Sequence, residues 1–388
     1  MTLVIIGANP VVARAAETLP VDLVHVQAPG APVLDPGITA SRRVFTCDFR
    51  DGSAFPDFVD EVLRPLRPTA VVSLTELGLE PAAAAALRLG VIGTAPEVVR
   101  ATRNKLEMRR VLERKVPHLN PGFAPGDDPE AVARLFAGHR RVVAKPVDGS
   151  GSAAVALLED IDDLPADRRT AATLFEQFAE GLEFSVEMMS SGGHHTLVGI
   201  AEKGTTGGFV EVSHMMPPPS LDSRRGRLVE QSVAEMLDAL GLTDGPSHTE
   251  VKVEGDKVTV IETHNRLGGD GIADLVRMTT GIDWRCAALG WPVGAGLHRA
   301  APAAAAAATV FFTAEPGRVT AVEPRPELTH GSIEEWDVPV RPGDLVRALR
   351  SSSDRLGMAV LTAASAAACV SAVAELTSLQ VVRTAPTA

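Results

Sequence analysis

A change of pattern near residue 100 constrains the fold of this chain more than any other feature. Before it, strands and helices alternate. Residues 3–7 are a β-branched run ending in glycine, and a helical stretch follows to Leu19. Residues 21–26 and 70–74 read as further strands, and residues 81–89 as an alanine-rich helix with Pro81 at its start. Such alternation with short turns implies a parallel sheet covered on both faces, with ligand-facing loops at the strand carboxyl ends, after Ile6 and Leu74. Beyond it come a long helix, 95–114, a proline-punctuated connection to Pro125, and then many short strands. These fall at 142–145, 153–158, 173–178, 184–189, 195–201, 249–253 and 257–262, with helices at 128–138 and 223–241. That is an α+β arrangement, an antiparallel sheet overlaid by few helices. Residues 310–313, 318–322 and 358–361 predict a small β-rich cap, and 365–375 a closing helix. The alanine tract 302–309 reads as a boundary or the start of a strand, and there is no internal repeat.

Composition narrows the class. A chain of 388 residues with 45% hydrophobic and 22% charged content is globular and long enough for two or three packed units. The formal net charge of −12 argues against a nucleic-acid partner, whose phosphates need a basic face. Cys47, Cys286 and Cys369 are far apart and form no CxxC or disulfide pattern, which fits a reducing cytoplasm and no structural zinc. The apolar N-terminus has no basic flank and no small-residue cleavage site, so it reads as a buried strand rather than a signal peptide. The apolar tract at 301–310 is interrupted by Pro302, and no membrane span is expected. Gly7-Ala8-Asn9 lacks the glycine count of a dinucleotide-binding turn, so NAD use is not expected.

Only six lysines stand against thirty-one arginines, and there is no tyrosine. Where arginine serves for generic positive charge, each remaining lysine calls for a reason. Lys145 ends the run Val142-Val143-Ala144-Lys145 and is followed by Gly149-Ser150-Gly151-Ser152. Small residues let backbone N–H groups approach a polyanion, and an ammonium adds point charge; an ordinary hairpin tip reads equally well. It is not a Walker A sequence, because no GxxxxGK[ST] is present. Residues 174–187 form a strand leading into a turn, which presents either backbone groups to a base edge or acidic side chains to solvent.

The most specific stretch is Ser247-His248-Thr249-Glu250-Val251-Lys252-Val253, a Gly255-Asp256 turn, and then 258–270. Two strands joined by that turn bring Glu250 and Glu262 side by side, where alternation asks for something less costly than a carboxylate. Two close carboxylates repel unless a cation lies between them, and hard oxygen ligands select Mg²⁺, which completes its shell with phosphate oxygens and water. Arg266, followed by Gly268 and Gly269, is placed to hold charge developing on a transferring phosphoryl group.

This ordered set resembles the ATP-grasp carboxylate–amine ligases, over essentially the whole chain, and most resembles the L-amino-acid ligases that form dipeptides. The resemblance implies an ATP-grasp fold of mixed α/β and α+β class. A doubly wound domain spans 1–100, an ATP-grasp domain of two lobes 101–190 and 191–300, and a C-terminal cap 301–388. It implies ATP contacts at Lys105, Lys145, Ser150, Gly151 and Ser152, an adenine linker at Glu176, Gln177 and Phe178, and a ribose carboxylate at Glu183. It implies that Glu250 and Glu262 bridge the metal, Mg²⁺ or Mn²⁺. The third ligand is either Asn265 or His264, because the usual order is shifted by one residue here. Arg266, with Lys145, carries catalysis in this reading. Substrate contacts are expected at Glu76, Lys203, His214, Gly268, Gly269 and Asp270, with a glycine-rich lid at 204–208.

The implied reaction activates a carboxylate as an acyl-phosphate and joins it to an amine, with small-molecule, amino-acid-like substrates and release of ADP and phosphate. The alternatives are a carboxylase of the purine-biosynthetic or biotin-dependent type, and a nucleotide-binding protein without ligase activity. A cytoplasmic enzyme is expected, as a homodimer through its N- or C-terminal domain. His194-His195, in a Gly/Ser turn, reads as a solvated loop and Asp148 as a turn residue.

Overall fold

The computed structural model describes residues 1–149, 151–205 and 209–386. Ser150 of the expected phosphate loop and residues 206–208 of the expected lid lie outside the described residues.

The N-terminal alternation forms a four-stranded sheet in the order Arg43–Thr46, Asp22–Gln27, Thr2–Ile6, Ala70–Val72, every pair parallel. Strands Asp22–Gln27, Thr2–Ile6 and Ala70–Val72 are buried beneath helices such as Pro10–Ala16 and Leu79–Leu89, while the edge strand Arg43–Thr46 is partly exposed. The chain reverses its direction of travel across the sheet between Thr2–Ile6 and Ala70–Val72. Such a switch point is where doubly wound sheets open a crevice for ligands. There the loop carrying Glu76 passes Gly7, which adopts φ +75° and where a Cβ would meet Thr75 Oγ1 at 2.2 Å. Glycine at this position lets the two loops close on each other.

The expected long helix is two. Pro96–Arg103 and Lys105–Lys115 meet at Asn104, an extended residue (φ −94°, ψ 105°) whose side chain accepts from the Glu107 N–H at 2.9 Å. An asparagine competes with the helix backbone and caps the second segment, which the apolar periodicity alone hides. The break puts Lys105 in a first turn.

Two antiparallel sheets follow. Phe123–Pro125, Thr173–Gln177, Val142–Pro146 and Ala156–Leu158 form a four-stranded lobe. The larger sheet has eight strands, in the order Lys257–His264, Gly245–Glu254, Leu182–Ser191, His194–Thr205, Glu211–Met216, Ala306–Phe312, Gly357–Ala363, Ser332–Asp337. Helix Ser223–Leu240 buries Val229, Val233, Met236 and Leu237 against it. The alanine tract becomes the wholly buried strand Ala306–Phe312. Ala307 packs into the cluster containing helix residues Ile272–Val276, while Ala306 and Ala308 pack on the other face with Cys369, Ala372 and Leu376. Small side chains let helices approach this strand from both sides. The sheet therefore runs without interruption across residue 300, and a separate three-stranded sheet (Leu345–Val346, Gly317–Val322, Val382–Ala385) completes the C-terminal part. Among the described residues no helix is long and apolar enough to cross a membrane.

Substituting Asn104→Ala removes the cap between the two helices. We expect urea unfolding to show a loss of about 1 kcal/mol.

Candidate active site

The hairpin Gly245–Glu254/Lys257–His264 places Glu250 opposite Glu262 and His248 opposite His264. Alternation turns all four toward the interior of the site, and the ladder slips by one residue just beyond the glutamates. Each carboxylate has its own cations. Glu262 lies 3.0 Å from Lys105 Nζ and 3.3 Å from His264 Nε2; Glu250 lies 2.8 Å from Lys203 Nζ and 3.5 Å from His248 Nε2. Burial opposes ionisation of both, and Lys105 at Glu262 and Lys203 at Glu250 outweigh it, so both carboxyls are held below the ordinary range.

Lys105, which begins a helix, and Lys145, within strand Val142–Pro146, converge here. Lys105 donates to the Gly149 carbonyl at 2.8 Å, and its own N–H bonds the Val147 carbonyl. Lys145 Nζ sits 2.8 Å from Glu176 Oε2. Glu176 is itself clasped by Arg109, at 2.6 and 3.1 Å, and Arg109 donates also to the carbonyls of Val260 and Ile261. Arg109 is fully buried and joins helix Lys105–Lys115 to both lobes. Burial lowers the Lys145 ammonium's pKa against the pull of Glu176; Glu176 itself is held ionised by Arg109 and Lys145 despite burial.

Between the lobes lies a cavity of about 330 Å³. Val143, Phe178, Phe209 and Ile261 line it, as do Lys105, Lys145, Glu183, Glu250 and Glu262. A flat apolar base and a polyanion both find walls there. Gln177 and Phe178 border it at the strand end, with Arg141 and Lys252 4.3 and 4.6 Å from the Phe178 ring centroid. Gly151 and Ser152 form its loop side, Ser152 with φ +56° and its hydroxyl on the Phe209 carbonyl.

A second cavity of about 190 Å³ adjoins the first, sharing Gly151, Glu211, Glu250 and Glu262 with it. Arg266, His214, Gly269 and Asp270 line it. Several expectations change here. Arg266 is not left free by its glycines: Glu76 accepts from its Nε at 2.6 Å and also pairs with Arg103 and approaches His264 at 3.3 Å. Glu76 thus clamps three cationic side chains, Arg103, His264 and Arg266. Lys203 is likewise engaged, its side chain wholly buried among Glu183, Glu211 and Glu250. Asn265 does not enter the site. It follows the last residue of the strand Lys257–His264, and its Oδ1 accepts from Thr102 at 3.0 Å. His264 does face the carboxylates and hydrogen-bonds Glu262. Gly268 lies beneath the cavity wall: its N–H bonds Glu187 Oε2, and a Cβ would come within 2.7 Å of Glu187 Oε1. Asp270, at φ +59°, is held by both terminal nitrogens of Arg355 (2.8 and 2.6 Å) and lies 3.4 Å from His214 Nε2.

With this geometry in hand, comparison with known proteins is decisive for the fold. Residues 166–274 match the ATP-grasp domain family, and residues 310–385 match the L-amino acid ligase C-terminal domain 2. The structure superposes on the L-amino acid ligase from Bacillus licheniformis with TM-score 0.79 at 22% identity, covering 100% of this chain and 99% of that one. The chain has the ATP-grasp fold. Among curated ATP-grasp relatives, carnosine synthase 1 of Homo sapiens is 30% identical over 133 residues, 34% of this chain and 16% of that protein. Alanine–anticapsin ligase of Bacillus subtilis is 24% identical over 263 residues, 58% of this chain and 55% of that protein. The chain thus spans less than two thirds of the length of these curated relatives.

The ATP-grasp site contains residues that sequence reasoning did not single out. Glu187 is fully buried, 2.5 Å from His248 Nδ1 and 2.7 Å from Trp284 Nε1. Burial opposes protonation of His248, and Glu187 overrides it, lifting the imidazole to about 9. A glutamate amid Phe184, Val186, Met188 and Met189 was the available signal: an acid in an apolar strand needs a partner. Arg109 gave no such signal on a helix rich in arginine. Ser352 and Arg355 reach the site from the C-terminal part. The Ser352 N–H bonds the Gly151 carbonyl at 3.1 Å, and its hydroxyl meets Glu211 at 3.4 Å. Arg109→Ala leaves Glu176 buried with one counter-charge fewer, and we expect a loss of about 3–5 kcal/mol in chemical denaturation.

Proposed function

We propose that this protein is an ATP-dependent ligase that activates an amino-acid-like carboxylate as an acyl-phosphate and joins it to an amine. The observation that carries the reading is the in-register pair Glu250–Glu262 at the seam of the two cavities, with Lys105 and Lys145 on the nucleotide side and Arg266 on the other. One cavity then takes ATP and the other the acid. The match of residues 310–385 to an L-amino acid ligase domain favours an amide-forming ligase over a carboxylase of the same fold.

The donor set fits a hard divalent ion, Mg²⁺ or Mn²⁺: both carboxylates are ionised, and both belong to one rigid hairpin. Glu250 and Glu262 would hold it, and its contribution would be to neutralise phosphate charge. The rest of the chemistry falls to the chain's own residues. An acid oxygen attacks the γ-phosphorus, and the bond to the bridging oxygen breaks to release ADP. Lys105 and Lys145 offset the repulsion between the anionic acid and the triphosphate, which otherwise keeps the two apart. Arg266, oriented by Glu76, presents its remaining N–H groups to the anionic intermediate. The amine then attacks the acyl carbon, phosphate leaves, and the nitrogen gives up a proton. Ser352 and Arg355 close the acid cavity from the C-terminal side and limit access of water to the acyl-phosphate.

The direct test is phosphate release from ATP with pairs of amino acids. Turnover that requires both an acid and an amine supports the reading, and turnover driven by bicarbonate contradicts it. Glu262→Gln should lower kcat by about 10²–10³ or more with an unchanged circular dichroism spectrum. Arg266→Ala should cut kcat by a similar factor and leave the KM for ATP within a few-fold; equal losses in both would remove Arg266 from the chemical step.

A further inference from the structure

Lys203 is a charged group at the heart of the site that the proposed chemistry does not use. Its side chain has no exposure, and its Nζ lies 2.8 Å from Glu183, 2.9 Å from Glu211 and 2.8 Å from Glu250. The three glutamates come from three different strands, Leu182–Ser191, Glu211–Met216 and Gly245–Glu254. Their ligand oxygens all lie within 4.8 Å of one another, an arrangement able to enclose a metal ion. The contacts come from three sides at nearly equal distance, so the ammonium acts as a central charge among the carboxylates, as a coordinated ion does. The spacing matches charge-assisted N–H···O contacts of about 2.7–2.9 Å and is wider than the ~2.0–2.6 Å of Mg²⁺ or Ca²⁺ to oxygen.

We propose that Lys203 is a built-in cation standing in for a divalent ion among Glu183, Glu211 and Glu250, so that exchangeable metal is confined to the Glu250–Glu262 pair. Three carboxylates drawn this close, one buried and two half-buried, cannot remain charged together without a cation. A tethered ammonium supplies one that does not dissociate with product. Glu211 and Glu250 border both cavities and Glu183 borders the nucleotide cavity, so the same ammonium keeps the wall between them assembled. It takes Glu250 Oε1 and leaves Oε2 for the ion shared with Glu262. Lys203 is therefore a positioning residue, acting on ATP and acid only through the three glutamates.

This inference rests on the proposed function only in assigning metal to Glu250 and Glu262. It is tested without turnover, so failure of one leaves the other readable. Purified protein without nucleotide is titrated with Mn²⁺, and free ion is followed by electron paramagnetic resonance. Lys203→Met should bind one Mn²⁺ per chain more than the wild type, whereas Lys203→Arg, which keeps the charge, should bind no more. If Lys203→Met folds only with Mn²⁺ present, seen as recovery of a cooperative thermal transition, that is the same result. A folded Lys203→Met with wild-type stoichiometry, an unfolded one that Mn²⁺ does not rescue, or an extra ion in Lys203→Arg would overturn the proposal.

Discussion

Two like charges held face to face inside a protein are the constraint from which the rest of this molecule follows. Glu250 and Glu262 pair across a hairpin and are half-buried there, and each ion taken out of water costs free energy unless it is matched. The surrounding cations can be read as the answer to that cost. Lys203 and His248 face one carboxylate, and Lys105 and His264 face the other. The two histidines are fixed in turn, His248 by Glu187 and His264 by Glu76. The result is a lattice of alternating charge around the two carboxylates.

The fold is arranged so that remote segments reach this centre. The parallel sheet contributes one loop at its switch point, carrying Glu76 to Arg266 and His264. The break at Asn104 starts a helix whose first turn aims Lys105 at the hairpin and whose next turn buries Arg109 against Glu176. The C-terminal part shares the central sheet, so Ser352 and Arg355 approach from a strand-linked support rather than from a loosely attached cap. Chemistry that must keep water from a reactive acyl group gains from such a rigid wall.

The sequence made the central features legible where one residue type was out of place. Glutamates at matching ends of two strands announced the hairpin, and scarce lysines marked Lys105 and Lys145. The strand–helix alternation and most of the later short strands follow the sequence pattern, which misses strands Arg43–Thr46, Phe123–Pro125, Glu211–Met216 and Ser332–Asp337. What stayed hidden were relations between distant segments. Nothing local distinguishes Arg109 from the arginines beside it, and only the fold shows that it spans two lobes. Asn265 and His264 differ by one residue, and the end of the strand between them sends Asn265 to Thr102 and keeps His264 at Glu262. Glu76 and Lys203 looked like free polar groups beside a pocket, whereas burial required each to have its own counter-charges. The alanine tract gave no periodicity because both of its faces are buried.

In the proposed reaction this charge lattice lets one anion attack another at phosphorus. Oxygen transfer tests it most directly. With an acid substrate labelled by ¹⁸O in both carboxylate positions, the phosphate released during amide formation is analysed by ³¹P NMR. One labelled oxygen per phosphate is the predicted result, because the acid oxygen that attacked the γ-phosphorus leaves with it. Amide formation with wholly unlabelled phosphate would contradict the account.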